Sequence, residues 1–195
     1  KFLGFKNETI ANLGAYARVF GTVTPTYLFG PCATGVYEIP AAYSNVKAVF
    51  TNTAPVDAYR GAGRPEATYT IERLVEKAAM ELGIDKTELR MKNFPTTFPF
   101  KQTLVHTVDS GDYVAGMEKA KQMADYSGFE ARRKDSESRG KLRGIGVSSY
   151  FEACGIAPSA AVMSLGCGVG LWESAEVRFN PTGQVTVYSG SHSHG

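Results

Sequence analysis

The clearest hydrophobic pattern runs from Pro65 to Leu82, where Ile71, Leu74, Val75, Ala78 and Leu82 recur at spacings of three and four. That period places them on one face of an α-helix. Gly83 follows as a residue suited to the left-handed conformation that closes a helix. Asp85-Lys86-Thr87-Glu88 has the form of a capping box with Asp at its head, and predicts a short helix through about Asn93. Phe94-Pro95 ends it, because the residue before a proline is pushed out of the α region. Asp112 predicts the cap of a further helix to about Tyr126, with Val114, Met117, Ala120 and Met123 inward. Glu130 to Arg139 is strongly charged and reads as a solvated helix or linker.

Strand signals are shorter. Val46 to Thr51 is rich in β-branched and aromatic residues and reads as a strand, and residues 1–13 as the end of a strand and a loop. Leu142 to Tyr150 also reads as a strand. Glu173–Phe179 and Gln184–Tyr188 read as a hairpin turning at Asn180-Pro181-Thr182-Gly183. Ala15 to Leu28 is apolar but broken by Gly21 and Pro25, and its type is ambiguous. Ile156 to Leu171 is rich in Gly, Ala and Ser without a clear period. The character of the chain changes around Lys141, which predicts two parts, 1–138 and 139–195. Helices and strands without strict βαβ alternation predict an α+β fold.

Composition narrows the function classes. The 195 residues are 43% hydrophobic, ordinary for a globular protein. A net charge of +2 is too small for a nucleic-acid footprint. No apolar run approaches the roughly 20 residues of a membrane helix. The three cysteines, Cys32, Cys154 and Cys167, are odd in number and form no C-x-x-C pair. That argues against a disulfide framework and against an iron–sulfur or structural zinc site, and fits a reducing, cytoplasmic compartment.

Candidate chemistry concentrates in Asp57-Ala58-Tyr59-Arg60-Gly61-Ala62-Gly63-Arg64-Pro65, directly before the long helix. Glycines allow positive φ and close backbone approach, and Pro65 suits the first helical turn. Free N–H groups and the positive end of the helix dipole would then face outward, toward an anionic ligand. Arg64 fits either a phosphate or carboxylate partner, or a role capping neighbouring carbonyls. No Gly-Lys-Ser/Thr follows, so this is not a nucleotide-binding P-loop. Elsewhere, Glu152 is either a pocket carboxylate or a loop carboxylate paired with an arginine. Cys154 reads as a small buried hydrophobe. His106 reads as structural. His192 and His194, two apart on one strand face, lack an apparent third metal ligand. Trp172 and the tyrosines read as core or interface.

Ala58-Tyr59-Arg60-Gly61-Ala62-Gly63-Arg64 resembles the active-site loop of the molybdenum hydroxylases, the xanthine dehydrogenase and aldehyde oxidase family, and more closely the carbon-monoxide-dehydrogenase-like large subunits. The likeness extends to Thr51–Val56, Glu72–Ala79, Leu89–Phe94, Gly144-Ile145-Gly146, Tyr150–Gly155 and Gly190–Gly195. It implies parts of two adjacent molybdenum-cofactor-binding domains, the C-terminal part of the first (1–138) and the N-terminal part of the second (139–195). It also implies an internal piece of a larger subunit, inactive alone. The family's upstream glutamine loop and downstream glutamate base are not found in these residues, so no catalytic residue is expected here.

The resemblance further implies a molybdenum-pyranopterin cofactor, in the cytosine dinucleotide form by its closer relatives. It places Arg60, Gly61, Ala62, Gly63, His194 and Gly195 beside that cofactor, and Leu28, Ala62 and Glu152 around the substrate. Ala62 stands where purine oxidisers carry an aromatic residue, Leu28 where they carry an arginine, and Gly61 where carbon monoxide oxidisers carry a copper-binding cysteine. The resemblance therefore implies hydroxylation of an aldehyde or an N-heterocycle with water as the oxygen source. A 2Fe-2S small subunit, an FAD medium subunit and a dimer of heterotrimers are the implied partners. From another class, the alternative is a noncatalytic module using the Arg60–Pro65 turn to bind an anion or a protein.

Overall fold

The computed structural model describes residues 1–152, 159–164, 166, 173–191 and 193–195. It divides into two compact units, Lys1–Phe151 and Glu152–Gly195.

In the first unit, β1 (Phe5–Asn12) and β2 (Ala42–Val49) pair in parallel, Phe5 opposite Ala42 through Asn12 opposite Val49. The crossover between them carries α1 (Val19–Val23), a π turn (Thr24–Leu28) and a 3₁₀ turn (Gly30–Cys32), so the apolar stretch from Ala15 to Leu28 is helical for most of its length. After β2 comes the Gly-rich loop and then α2 (Arg64–Leu82). Gly83 takes the left-handed conformation with φ 63° and closes α2, as its position predicts. Next is α3 (Lys86–Asn93), whose cap Asp85 accepts hydrogen bonds from the N–H groups of Thr87 at 2.8 Å and Glu88 at 3.2 Å. A short antiparallel pair, β3 (Phe100–Lys101) and β4 (Thr107–Val108), precedes α4 (Tyr113–Met123). The charged stretch forms α5 (Phe129–Ser138), laced on its exposed side by Arg133 with Glu130 and Glu137.

The core joins Phe5, Ala33, Val36, Tyr37 and Ile39 to Ile71, Val75 and Ala79 of α2 and to Leu89 and Phe94. The buried stripe of α2 is thus 71, 75 and 79, while Leu74 and Leu82 face outward. The expected apolar face is rotated because Glu72 takes a core position. The Tyr37 hydroxyl donates to the Glu72 carboxylate, and Arg90 Nε reaches Glu72 Oε2 at 2.9 Å. Arg90 is fully buried, and also donates to Glu76 at 3.2 Å, Lys86 O at 2.9 Å and Val147 O at 3.0 Å. In α4 only Met117 is buried. Val114, Ala120 and Met123 are exposed, because the helix leans on Phe94 through Tyr113 and Met117.

The stretch from Leu142 to Tyr150 forms no ladder among the described residues, although residues 145–151 alternate between half-buried and exposed as a strand would. Side chains take the place of a partner strand. Lys86 Nζ donates to Ile145 O at 3.0 Å, Arg90 to Val147 O, and the Ser149 N–H donates to Glu72 Oε2 at 3.0 Å.

The second unit contains α6 (Ser159–Ser164) and the expected hairpin of β5 (Ala175–Phe179) and β6 (Val185–Ser189). Its turn is closed by Asn180 N–H to Gln184 O and Gly183 N–H to Asn180 O, both 2.9 Å. Cys154, Gly155, Cys167, Trp172, His192 and much of Ile156–Leu171 lie outside the described residues. The whole is α+β. Among the described residues no helix is long and apolar enough to cross a membrane.

Candidate functional site

The Gly-rich loop arrives from β2 and feeds α2 at the helix's N-terminus. Its first residues, Asp57 to Arg60, are exposed, and Gly61 and Ala62 are half-buried. Two positive-φ glycines, Gly61 at 88° and Gly63 at 82°, fold it back on itself, with Ala62 between them at φ 21°. The Ala62 N–H donates to Tyr59 O at 2.8 Å, Arg64 N–H to Gly61 O at 3.3 Å and Ala67 N–H to Gly63 O at 3.0 Å. A left-handed alanine is costly and persists only where its surroundings over-determine it.

Gly63 is the tightest point. A Cβ there would lie 2.5 Å from the Thr24 carbonyl oxygen and 2.7 Å from Leu28 Cβ. More than thirty positions separate Leu28 from Gly63 in the sequence, yet the π turn that carries Leu28 packs directly on Gly63. Two of the expected site positions are thereby brought together. Thr24 on the same turn holds a buried hydroxyl with no hydrogen-bond partner among the described residues.

Beneath the loop lies a floor that spacing could not reveal. Arg64, 8% exposed, turns back and donates from Nη1 to Ala62 O at 3.1 Å. Of the two roles open to it, capping a carbonyl is one that it fills. His106 sits beside it, with Nε2 at 3.4 Å from Cys32 Sγ and its ring edge-on to Phe151 at 5.5 Å. Phe29, Cys32 and Ala67 pack together as a small core there. Burial, and then the neighbouring Arg64 charge, hold His106 below its ordinary pKa. Both effects favour the neutral imidazole. Seventy-four positions separate Cys32 from His106, and neither belongs to a motif.

Glu152, His194 and Gly195 belong to the second unit, where each is exposed. A cavity of about 400 Å³ in the first unit lies away from the loop, lined by Thr87, Phe94, Tyr113, Met117, Tyr126 and Val147 among others. None of residues 57–65 lines it. Among the described residues no group of three or more His, Cys, Asp or Glu side chains could hold a bare metal ion.

What the loop can offer a ligand is main chain at the positive end of a 19-residue helix, at the half-buried Gly61 and Ala62, since the Ala62 and Arg64 N–H groups bond within the turn and Pro65 has none. Such a set fits an anionic organic cofactor that brings its own metal ligands. Gly63 is buried against Thr24 and Leu28, so the main chain left for the cofactor to approach is that of Gly61 and Ala62.

Comparison with known proteins points the same way. Residues 1–94 and residues 119–195 each match a family described as Molybdopterin cofactor-binding domain. The carbon monoxide dehydrogenase large chain of Hydrogenophaga pseudoflava is 39% identical over 100% of this chain and 25% of its own length. The 6-hydroxypseudooxynicotine dehydrogenase complex subunit gamma of Paenarthrobacter nicotinovorans is 33% identical over 100% of this chain and 24% of its own. The crystal structure of quinoline 2-oxidoreductase from Pseudomonas putida 86 superimposes with a TM-score of 0.77 at 32% identity, covering 95% of this chain and 24% of that one. The chain spans about a quarter of the length of these relatives.

Proposed function

This chain belongs to the molybdopterin cofactor-binding domain family, and on that footing we propose that it is an internal part of the catalytic subunit of a molybdenum hydroxylase. Residues 1–138 are assigned to the C-terminal part of a first cofactor-binding domain and 139–195 to the N-terminal part of a second. When bound, the molybdenum-pyranopterin supplies the redox chemistry that puts an oxygen atom from water on an electron-poor carbon.

The chain's own residues bind and orient. Arg60, Gly61, Ala62 and Gly63 offer main chain to the cofactor, with His194 and Gly195 as further contacts. In the first unit Leu28 and Ala62 bound the substrate; Glu152, in the second, is assigned to it by the family resemblance alone. The observation that carries the reading is the turn itself, two positive-φ glycines at the head of α2 with a residue from a distant π turn packed against the second.

Ala62 is small and Gly61 is not a cysteine. An alanine leaves room for an aldehyde or a flat N-heterocycle, and supplies neither an aromatic face for purines nor a copper ligand for carbon monoxide. Relatives named for nicotine-derived and quinoline substrates support the heterocycle class. The cytosine dinucleotide form of the pterin, a 2Fe-2S small subunit, an FAD medium subunit, a dimer of heterotrimers and a cytoplasmic setting complete the proposal. Relatives named as a large chain and as a complex subunit support partner subunits.

The test is molybdenum, and the nucleotide released on hydrolysis, in the complete subunit purified with its native partners. Near-stoichiometric molybdenum with CMP supports the proposal. Absence of molybdenum from cells known to make the cofactor overturns it, and leaves residues 57–65 as a turn for some other anion or for a protein.

A further inference from the structure

We infer that Arg64 is a positioning residue for the Gly-rich loop. It acts through the Ala62 carbonyl to fix the direction of the 61–63 main chain, and so the surface the cofactor and substrate meet. The inference rests on the proposed function for its consequence, but not for its geometry.

The geometry is a strained residue and a buried clamp. Ala62 is held at φ 21°, where an L side chain rarely sits. The turn's own hydrogen bonds, Ala62 N–H to Tyr59 O and Arg64 N–H to Gly61 O, close the backbone from either side. Both leave the Ala62 carbonyl to be fixed. Arg64 Nη1 fixes it at 3.1 Å, from a side chain 8% exposed. A charge-assisted hydrogen bond shielded from water is a strong restraint on one peptide group.

The clamp is itself held. Arg64 opens α2, and Ala67 one turn on is fully buried against Phe29 and Cys32. His106, in contact with Cys32 and Phe151, feels the Arg64 charge, which with burial holds its pKa low. Across the loop, Gly63 is pressed on Thr24 and Leu28, which blocks relaxation in that direction. The 61–63 backbone thus has one arrangement, with Arg64 as its polar support. A lysine offers a single mobile ammonium instead of a planar fork, and would hold the carbonyl less rigidly.

The experiment uses the complete subunit purified with its partners, as wild type, Arg64→Met, Arg64→Lys, Ala62→Gly and Arg64→Met/Ala62→Gly. Hydrogen exchange is read at the Ala62 and Arg64 amides, molybdenum content is measured in the same samples, and the paramagnetic molybdenum signal is recorded after dithionite reduction. Losing a hydrogen bond to a charged donor should accelerate exchange in Arg64→Met by about tenfold or more. The molybdenum signal should shift or broaden at unchanged molybdenum content, with Arg64→Lys in between. In the Ala62→Gly background the strain is gone, and Arg64→Met should change exchange much less.

Exchange within about twofold of wild type in a folded Arg64→Met subunit overturns the inference. So does faster exchange with an unaltered molybdenum signal, which would make Arg64 structural only. If Arg64→Met does not fold, Arg64→Lys decides by the same two readings. A wild-type subunit without molybdenum defeats the proposed function. The exchange readings still decide whether Arg64 holds the loop.

Discussion

Replacing Arg90 by methionine should disable the frame that carries the loop. Arg90 is fully buried and donates to two carboxylates and two carbonyls, those of Glu72, Glu76, Lys86 and Val147. Burial works to lower its pKa, but Glu72, Tyr37 and Glu76 hold it above its ordinary value, so it stays charged. Glu72, 6% exposed, also accepts from the Tyr37 hydroxyl and the Ser149 N–H. Methionine matches the volume but leaves Glu72 as a buried charge without its cation, which costs about 3–5 kcal/mol. A second change, Glu72→Gln, removes the stranded charge and should recover most of that loss. The Ser149 amide is the natural reporter, because its acceptor is Glu72 Oε2 at 3.0 Å. At tenfold per 1.4 kcal/mol, its hydrogen exchange in Arg90→Met should rise on the order of a hundredfold or more, and fall back in the double variant. A rise of less than about tenfold, or a double variant no better than the single one, would show that the network contributes little and that the apolar core alone positions α3 and residues 145–149.

Gly63→Ala forces a Cβ against Thr24 O and Leu28 at φ 82°, and should cost about 1–3 kcal/mol of backbone strain before any repacking. Thermal unfolding and molybdenum content of the complete subunit check it. Asp85→Ala removes the α3 cap and should cost about 1 kcal/mol, while Asp85→Asn keeps most of the cap. Burial works to raise the Asp85 pKa, but hydrogen bonds from Thr87, Tyr126 and the Glu88 N–H hold it below 3.8. Its charged form therefore contributes stability that is present above that value and lost as pH falls through the lower folded one. Acid unfolding of wild type should be steeper there than that of Asp85→Asn. Burial, and then the Asp85 hydrogen bond at 2.9 Å, push the Tyr126 hydroxyl up to about 12. Its contribution is full below 10 and lost as pH rises through about 12, so a late phenolate absorbance step should vanish in Tyr126→Phe.

What could be read from the sequence was local. Gly83 and Asp85 announce the end of α2 and the start of α3 because their roles need only neighbouring backbone groups. The β5–β6 hairpin is announced by its own turn. What could not be read was long-range. Leu142 to Tyr150 has the alternation of a strand, but a ladder needs a partner. Among the described residues its partners are the side chains of Lys86, Arg90 and Glu72. The inward face of α2 is rotated from its apolar stripe, since no pattern says that Glu72 is buried by Arg90 and Tyr37. The loop was legible from its glycines, and its floor was not. His106, Cys32 and Phe29 meet only because the crossover after β1 folds back over the start of α2.

That fold-back couples positions that are distant in the sequence. Leu28 and Gly63 are far apart in sequence, yet a Cβ on Gly63 would sit 2.7 Å from the Cβ of Leu28. In the proposed site one lines the substrate and the other the cofactor, and neither can change size alone. A larger residue at position 63 displaces the π turn, and a different shape at position 28 alters what presses on the loop. The two positions should therefore be non-additive, coupling by roughly 0.5–3 kcal/mol as contacting residues do. A substrate preference assigned to position 28 from a single substitution would include a contribution from the loop. Only the four-member cycle of Leu28→Ala, Gly63→Ala, both and neither separates the two, with unfolding and molybdenum content as its readings. Additivity within about 0.3 kcal/mol would mean that the π turn and the loop move independently.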